Sequence, residues 1–300
     1  MPATVRAFIR LSRLKFLAGG FLAFALGASA AIFAGAPLVL GAYALGQFTV
    51  SSFHLMVHYA NDYFDRFCDA DAQRTAWSGG SGALVEGTLA PSVALVAALT
   101  CAAAGTIGVA LLAAAGNWRA AAVCAAAGVL AWAYSAPPLR LLARGLGELD
   151  TAAIVAVLFP LAGYFALTPA PALRVVVSAL PSASAMLALM LCVEYPDVEV
   201  DRLGGKMNLV ARLGRKRARA LVVAAVAAIY GCGVAAIACG APVDLAYFLA
   251  LTLPVSWGLC ARLRSANLDA VAPSAEIAGR GVALFVVTVL GSTLAYLAAL

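Results

Sequence analysis

The residues able to do chemistry in this chain fall into two short acidic clusters. The first is NDYFDRFCD at 61–69, which supplies Asn61, Asp62, Asp65 and Asp69. At about 100° per residue on a helix, Asp65, Asp69 and Asp62 fall about 40°, about 80° and about 100° from Asn61, so all four share one stripe. The second is EYPDVEVD at 194–201, where Asp197 and Asp201 are four residues apart and Glu194 lies one turn earlier on that side. Like charges at this spacing repel, and a low dielectric raises the penalty. Two such stripes require a positive partner. Oxygen ligands favour Mg2+ or Ca2+ over zinc. Arg66, Arg74, Arg202, Lys206 and Arg212 lie just beyond the clusters. Carboxylates, Mg2+ and Lys/Arg are the parts that hold a diphosphate: the metal bridges acid to phosphate and the cations neutralise the rest.

The elements that position these clusters are set by composition. Of 300 residues, 64% are hydrophobic and 11% charged, with a mean hydropathy of +0.97. A soluble domain carries about a quarter charged residues. A transmembrane helix needs about 20 mainly apolar residues, and apolar runs delimited by turn signals predict nine spans: 16–36, 38–60, 91–114, 118–136, 149–169, 174–195, 218–239, 243–261 and 279–299. The expected fold class is therefore all-α, a polytopic membrane protein of nine transmembrane helices. The start MPATVRAFIRLSRLKFLAGG reads as a basic leader into the first span rather than a cleaved signal peptide. The seven cysteines are scattered without CxxC spacing and read as packing residues.

Charge sets the orientation. Eighteen of the 20 Lys and Arg residues fall in the leader and in the gaps 61–90, 135–148, 197–219 and 262–280; only Arg119 and Arg174 lie on the other side. Under the positive-inside rule this puts the N-terminus and both acidic clusters in the cytoplasm, with a cell inner membrane as the expected location. A nucleic-acid partner is excluded in a chain this apolar; the partner is the lipid bilayer. The clusters open two long polar gaps about 136 residues apart, a spacing suggestive of internal duplication. The split between charge and oil suits a split substrate, with a diphosphate head and a hydrocarbon tail.

These residues resemble the UbiA superfamily of intramembrane prenyltransferases. Asn61-Asp62-x-x-Asp65-x-x-x-Asp69 matches the family's NDxxDxxxD signature, and Asp197 and Asp201 match its DxxxD. DRLGGKMNLVARLG at 201–214 and YSAPPLRLLARGLGEL at 134–149 resemble the 1,4-dihydroxy-2-naphthoate polyprenyltransferase branch; SGGSGALVEGTL at 78–89 resembles a loop of its relatives. The likeness runs from about 54 to 214. It implies a single transmembrane domain over 1–300, nine helices around a central cavity open to lipid, and loops 61–90 and 197–217 capping an active site. It implies Asn61, Asp65, Asp69, Asp197 and Asp201 as Mg2+ ligands, with Asp65, Asp201 and Tyr134 central to catalysis. Asp62 would orient an arginine. Lys206 would contact the diphosphate, and Tyr134 and Ser135 would lie near the acceptor. Arg66, Arg74, Arg140, Glu194 and Arg202 complete the candidate substrate-binding set.

The implied reaction is Mg2+-dependent transfer of a prenyl group from a prenyl diphosphate to a small, aromatic acceptor, as in quinone-type lipid (menaquinone) biosynthesis. Diphosphate leaves, an allylic cation develops, and aromatic faces at Phe53, Tyr59, Trp132 and Tyr134 are candidates to stabilise it. Where naphthoate-specific members carry Asn-Asn-x-Arg, this chain has Val193, Glu194, Tyr195 and Pro196, which leaves the acceptor open. Pro196 is expected to loosen the helix before Asp197. His54 and His58, spaced i,i+4, are expected to make hydrogen bonds in the bundle. Glu148 and Asp150 are expected to cap the following span, and RLGRKRAR at 212–219 to anchor at the membrane surface. The alternatives are a membrane terpene cyclase working without an acceptor, and a secondary transporter using the acidic stripes as a cation path. Chain length of the prenyl group and oligomeric state stay open.

Overall fold

Residues 1–70 and 73–300 are described by a computed structural model. The helices are α1 (Ala3–Ser12), α2 (Leu14–Phe33), α3 (Leu40–Asp65), α4 (Pro91–Ala114), α5 (Trp118–Ser135), α6 (Gly147–Ala153), α7 (Phe159–Leu167), α8 (Leu173–Glu194), α9 (Val198–Leu203), α10 (Leu209–Ala238), α11 (Asp244–Ala250), α12 (Leu253–Ser265) and α13 (Val271–Ala298). A π-helical turn, Ile154–Leu158, joins α6 to α7. Pro160 cannot donate to the residue four before it, which accounts for the loosened turn. With α6–α7 and α11–α12 each taken as one broken helix, the described residues form the nine expected spans. Seven are long and apolar enough to cross a membrane. The other two are α3, diluted by Gln47, His54, His58 and its acidic end, and α5, which has 18 residues and includes Arg119.

Several boundaries move outward. α3 runs to Asp65, α10 begins at Leu209 and α13 at Val271, beyond the predicted limits of 60, 218 and 279. Those limits stopped at charge, which lipid penalises; a helix end buried against other helices, or standing above the bilayer, tolerates it. α10 is interrupted at Gly214, whose φ of 75° lies outside the helical range. The leader forms its own short helix, α1, turned from α2 by Arg13 at φ 45°. Pro196 ends α8 as expected: a 3-10 turn, Tyr195–Asp197, separates it from α9.

α2, α3, α5, α7, α8 and α13 pack around a common interior, with α4 and α10 outside them against α3 and α8. The tightest approach joins α2 and α7. A Cβ at Gly27 would overlap the Pro160 carbonyl, and one at Gly163 would overlap that of Phe24. Small residues permit this backbone contact, which drives helix association in lipid.

Candidate active site

Each acidic cluster sits where a long helix ends. α3 carries Asn61, Asp62 and Asp65 on its last turn, and Asp69 follows one turn on, its N–H donating to the Asp65 carbonyl at 3.0 Å. Asn61 Nδ2 donates to Asp65 Oδ2 at 2.7 Å and to Ser135 Oγ at 3.0 Å, which ties the stripe to the end of α5. In the second cluster, α9 presents Asp201. Asn208, which also caps α10, donates to Asp201 Oδ2 at 2.7 Å. The Lys206 N–H closes the intervening turn on the Asp201 carbonyl at 2.7 Å.

The clusters meet at Lys206. Its Nζ lies 3.4 Å from Asp65 Oδ2 and 3.5 Å from Asp201 Oδ1. Burial opposes its charge, but Asp65, Asp201 and Asp69 outweigh that and hold the ammonium protonated. Cys68 Sγ reaches the Gly204 carbonyl at 3.4 Å, a second link between the two segments. Asp69 is buried, and desolvation pushes its carboxyl up to about 7 against the pull of Lys206. The segment Ser78–Gly80 folds over it. Gly80 has φ +70°, and any Cβ there would overlap Asp69 Oδ2, so glycine is required twice over.

Asp62 turns aside from the other carboxylates. It pairs with Arg13 and accepts from the hydroxyl and N–H of Ser81. The expected role of orienting an arginine thus falls on a leader residue. Tyr134 lines the cavity described below, and Glu194 lines it too. Four expected cations do not come to it. Arg66 donates to the Tyr63 carbonyl and lies over the Phe67 ring at 4.2 Å. Arg74 pairs with Glu86, Arg202 donates to the Ala211 carbonyl, and Arg140 is exposed. Adjacency in sequence misleads here. Arg66 sits about 140° from Asn61 on the wheel, outside the stripe. In their place the cavity is lined by Arg13 and Lys15. The signal for these was the basic leader, on the same membrane side as the clusters but read only for orientation.

Beneath the clusters lies a cavity of about 260 Å³. Its mouth is polar, with Asn61, Asp69, Asp197, Asp201 and Lys206; its body is apolar, with Phe53, Phe159, Leu189, Met190 and Phe285 among its walls. Of the aromatics expected to face a cation, Phe53 and Tyr134 border it. Tyr59 is instead hydrogen-bonded to Ser12, and Trp132 packs on Phe64. His54 and His58 line the cavity; His58 Nδ1 lies 3.0 Å from the Ser12 carbonyl, so its ring is fixed by a hydrogen bond as expected. Glu148 and Asp150 occupy the first turn of α6 but make no capping bond. Glu148 instead accepts from the Leu209 N–H, stapling α6 to α10.

The donor set suits a hard divalent cation. Every candidate ligand offers oxygen, and Asp197 Oδ1 is buried without a hydrogen-bond partner. Among the described residues no three His, Cys, Asp or Glu side chains already stand close enough to hold a metal; the Lys206 ammonium takes the central place between Asp65 and Asp201. The arrangement can bind a polyanion at its mouth and shelter a hydrocarbon in its body.

Comparison with known proteins gives the same picture. Over 202 residues the chain is 26% identical to the 1,4-dihydroxy-2-naphthoate octaprenyltransferase of Bacillus subtilis (strain 168), covering 65% of this chain and 63% of that relative's length. Its fold is similar to the apo structure of a UbiA homologue from Aeropyrum pernix K1, with TM-score 0.70 and 19% identity over 91% of this chain and 96% of that one. It is also similar to a UbiA homologue from Archaeoglobus fulgidus bound to GPP and Mg2+, with TM-score 0.68 and 17% identity over 95% and 99%. Residues 16–289 match the UbiA prenyltransferase family, and with both acidic motifs gathered at the mouth of one intramembrane cavity, the chain belongs to that family.

Proposed function

We propose that this protein transfers a prenyl group from a prenyl diphosphate to a small aromatic acceptor, acting as one transmembrane unit with segments 61–90 and 197–217 over its site. The observation that carries this reading is the convergence of Asp65 and Asp201 on Lys206 above an apolar cavity. A mouth rich in carboxylates and cations over a hydrocarbon-lined body matches an amphiphilic diphosphate better than a transported ion. The matched relative's naphthoate acceptor and the GPP and Mg2+ of the structural neighbour point the same way.

Asn61, Asp65, Asp69, Asp197 and Asp201 would hold Mg2+. When bound, the metal supplies charge neutralisation and Lewis-acid assistance to the departing diphosphate. Lys206, between the two motifs, is placed to follow the leaving group's negative charge. Phe53, Phe159 and Phe285 bound the cavity body with aromatic faces that favour an allylic cation and keep water from it. Tyr134 and Ser135, at the end of α5, would stand at the acceptor. The basic leader and the basic gaps support a reading in which this mouth faces the cytoplasm from a cell inner membrane.

The test is product analysis. The protein in lipid nanodiscs is given geranylgeranyl diphosphate and a panel of aromatic acceptors, with Mg2+ or with EDTA. A prenylated acceptor in the Mg2+ arm only supports the reading. A cyclic hydrocarbon formed without acceptor, or product formed equally in EDTA, rules it out.

A further inference from the structure

Glu194 and Glu148 form an acidic feature apart from the carboxylates around Lys206. α6 packs on α8 and sets Glu148 beside Glu194. Their exposures are 0% and 6% respectively. Glu194 lines the cavity, yet neither of its carboxyl oxygens has a hydrogen-bond partner. Glu148 accepts from the Leu209 N–H through Oε1, while its Oε2 has none. The two carboxyls stand within hydrogen-bond reach, so one shared proton pairs one oxygen of each and leaves the pair one negative charge; the second Glu194 oxygen still lacks a donor. Leaving such groups unpaired is costly, and native structures rarely do so without a reason.

The cations of the cavity are otherwise engaged. Lys206 serves Asp65 and Asp201, Arg13 serves Asp62, and Lys15 donates to the Ala76 carbonyl and lies 4.4 Å over the Trp77 ring. A donor for the second Glu194 oxygen has to come from a bound molecule. Glu194 is the last residue of α8, three residues before Asp197. It thus faces the cavity near the diphosphate mouth, where an acceptor has to meet the reacting end of the prenyl chain.

We propose that Glu194, backed by Glu148, selects the acceptor: an uncharged aromatic molecule presenting O–H or N–H donors, and not one carrying a carboxylate. The proposal rests on the prenyl-transfer reading and narrows it. A hydroxyl or amine donor satisfies the remaining Glu194 oxygen. A carboxylate sets oxygen against oxygen and meets the one negative charge that the proton-sharing pair keeps in a desolvated site, which works as discrimination against the wrong partner. Glu194→Gln puts an amide donor at the same point, one that can meet a carboxylate.

The experiment compares 1,4-dihydroxynaphthalene with 1,4-dihydroxy-2-naphthoate in the wild-type protein, Glu194→Gln and Glu148→Gln. It reads kcat/KM with geranylgeranyl diphosphate and Mg2+. In parallel it reads the Kd of each acceptor by calorimetry, with an unreactive prenyl thiodiphosphate bound. Taking the ratio within one protein cancels losses of folding or of diphosphate chemistry. The wild type is expected to prefer the carboxylate-free diol about tenfold or more, and Glu194→Gln to lower that ratio at least about threefold. A wild-type ratio under about threefold, or one that Glu194→Gln leaves within about threefold, overturns the proposal. If the binding ratio behaves as expected while neither compound is prenylated, the prenyl-transfer reading fails and the selectivity of Glu194 stands.

Discussion

Asp65 and Asp201, 136 positions apart in the chain, share one ammonium: Lys206 Nζ lies 3.4 Å from the first and 3.5 Å from the second. The lysine side chain is 16% exposed, so its charge works in a largely desolvated place. Replacing it by Met leaves two facing carboxylates without a counterion and, under the proposed reaction, removes a contact for the leaving diphosphate. Lys206→Met is expected to raise the KM for prenyl diphosphate about tenfold or more. Steady-state kinetics at saturating Mg2+ would show it; an unchanged KM would place Lys206 outside the diphosphate site.

Arg13 and Asp62 tie the leader to α3 through a pair in which Asp62 is 4% exposed. Breaking a buried pair from one side costs about 3–5 kcal/mol because it strands the other charge. Asp62→Ala should therefore lower thermal stability in detergent, and Arg13→Met combined with Asp62→Leu should recover much of the loss. Equal losses in the single and double variants would show that the two residues act separately.

Gly80 packs its backbone on Asp69 with φ +70°. An alanine there meets both a strained backbone, costing about 1–3 kcal/mol, and a clash with a carboxylate. Gly80→Ala is expected to weaken Mg2+-dependent binding of prenyl thiodiphosphate with little loss of helicity. Gly35, also at positive φ but with open space around a Cβ, provides the control: Gly35→Ala should leave that binding unchanged.

Burial pushes the Asp69 carboxyl up to about 7. Below that pH the group carries a proton that a divalent cation has to displace, so affinity rises with pH and levels off above it. Between about pH 6 and about pH 7 the Mg2+ affinity should climb about fivefold, with proton release on binding. Calorimetry in buffers of different ionisation enthalpy would reveal the proton. Burial also raises the Asp197 carboxyl to about 6, so Asp69→Asn should lower the release near pH 7 without abolishing it, and a release unchanged in that variant would assign it to another group.

Much of this site could be read from the chain. The wheel positions of Asn61, Asp62, Asp65 and Asp69 predicted one stripe, from which Asp62 turns aside to Arg13 and Ser81, and Pro196 predicted the break before Asp197. The basic gaps put both clusters at one end of the bundle, where they meet. The partners across helices were not legible. Arg13 reaches Asp62 over 49 positions and Glu148 reaches Leu209 over 61. Helical periodicity orients a side chain about its own axis and says nothing about which neighbour it will face. For the same reason Arg66, Arg74, Arg140 and Arg202 were grouped with the site by proximity in sequence, and folding turns them elsewhere.

The most direct test of the shared site is Mg2+-dependent binding of an unreactive prenyl thiodiphosphate to Asp65→Asn and to Asp201→Asn in nanodiscs, beside the wild type. Each substitution alone is expected to weaken binding about 100-fold or more, since in the proposed site each motif would supply half of one grip. Binding at wild-type affinity in either variant would mean that the two motifs do not hold a common metal–diphosphate group.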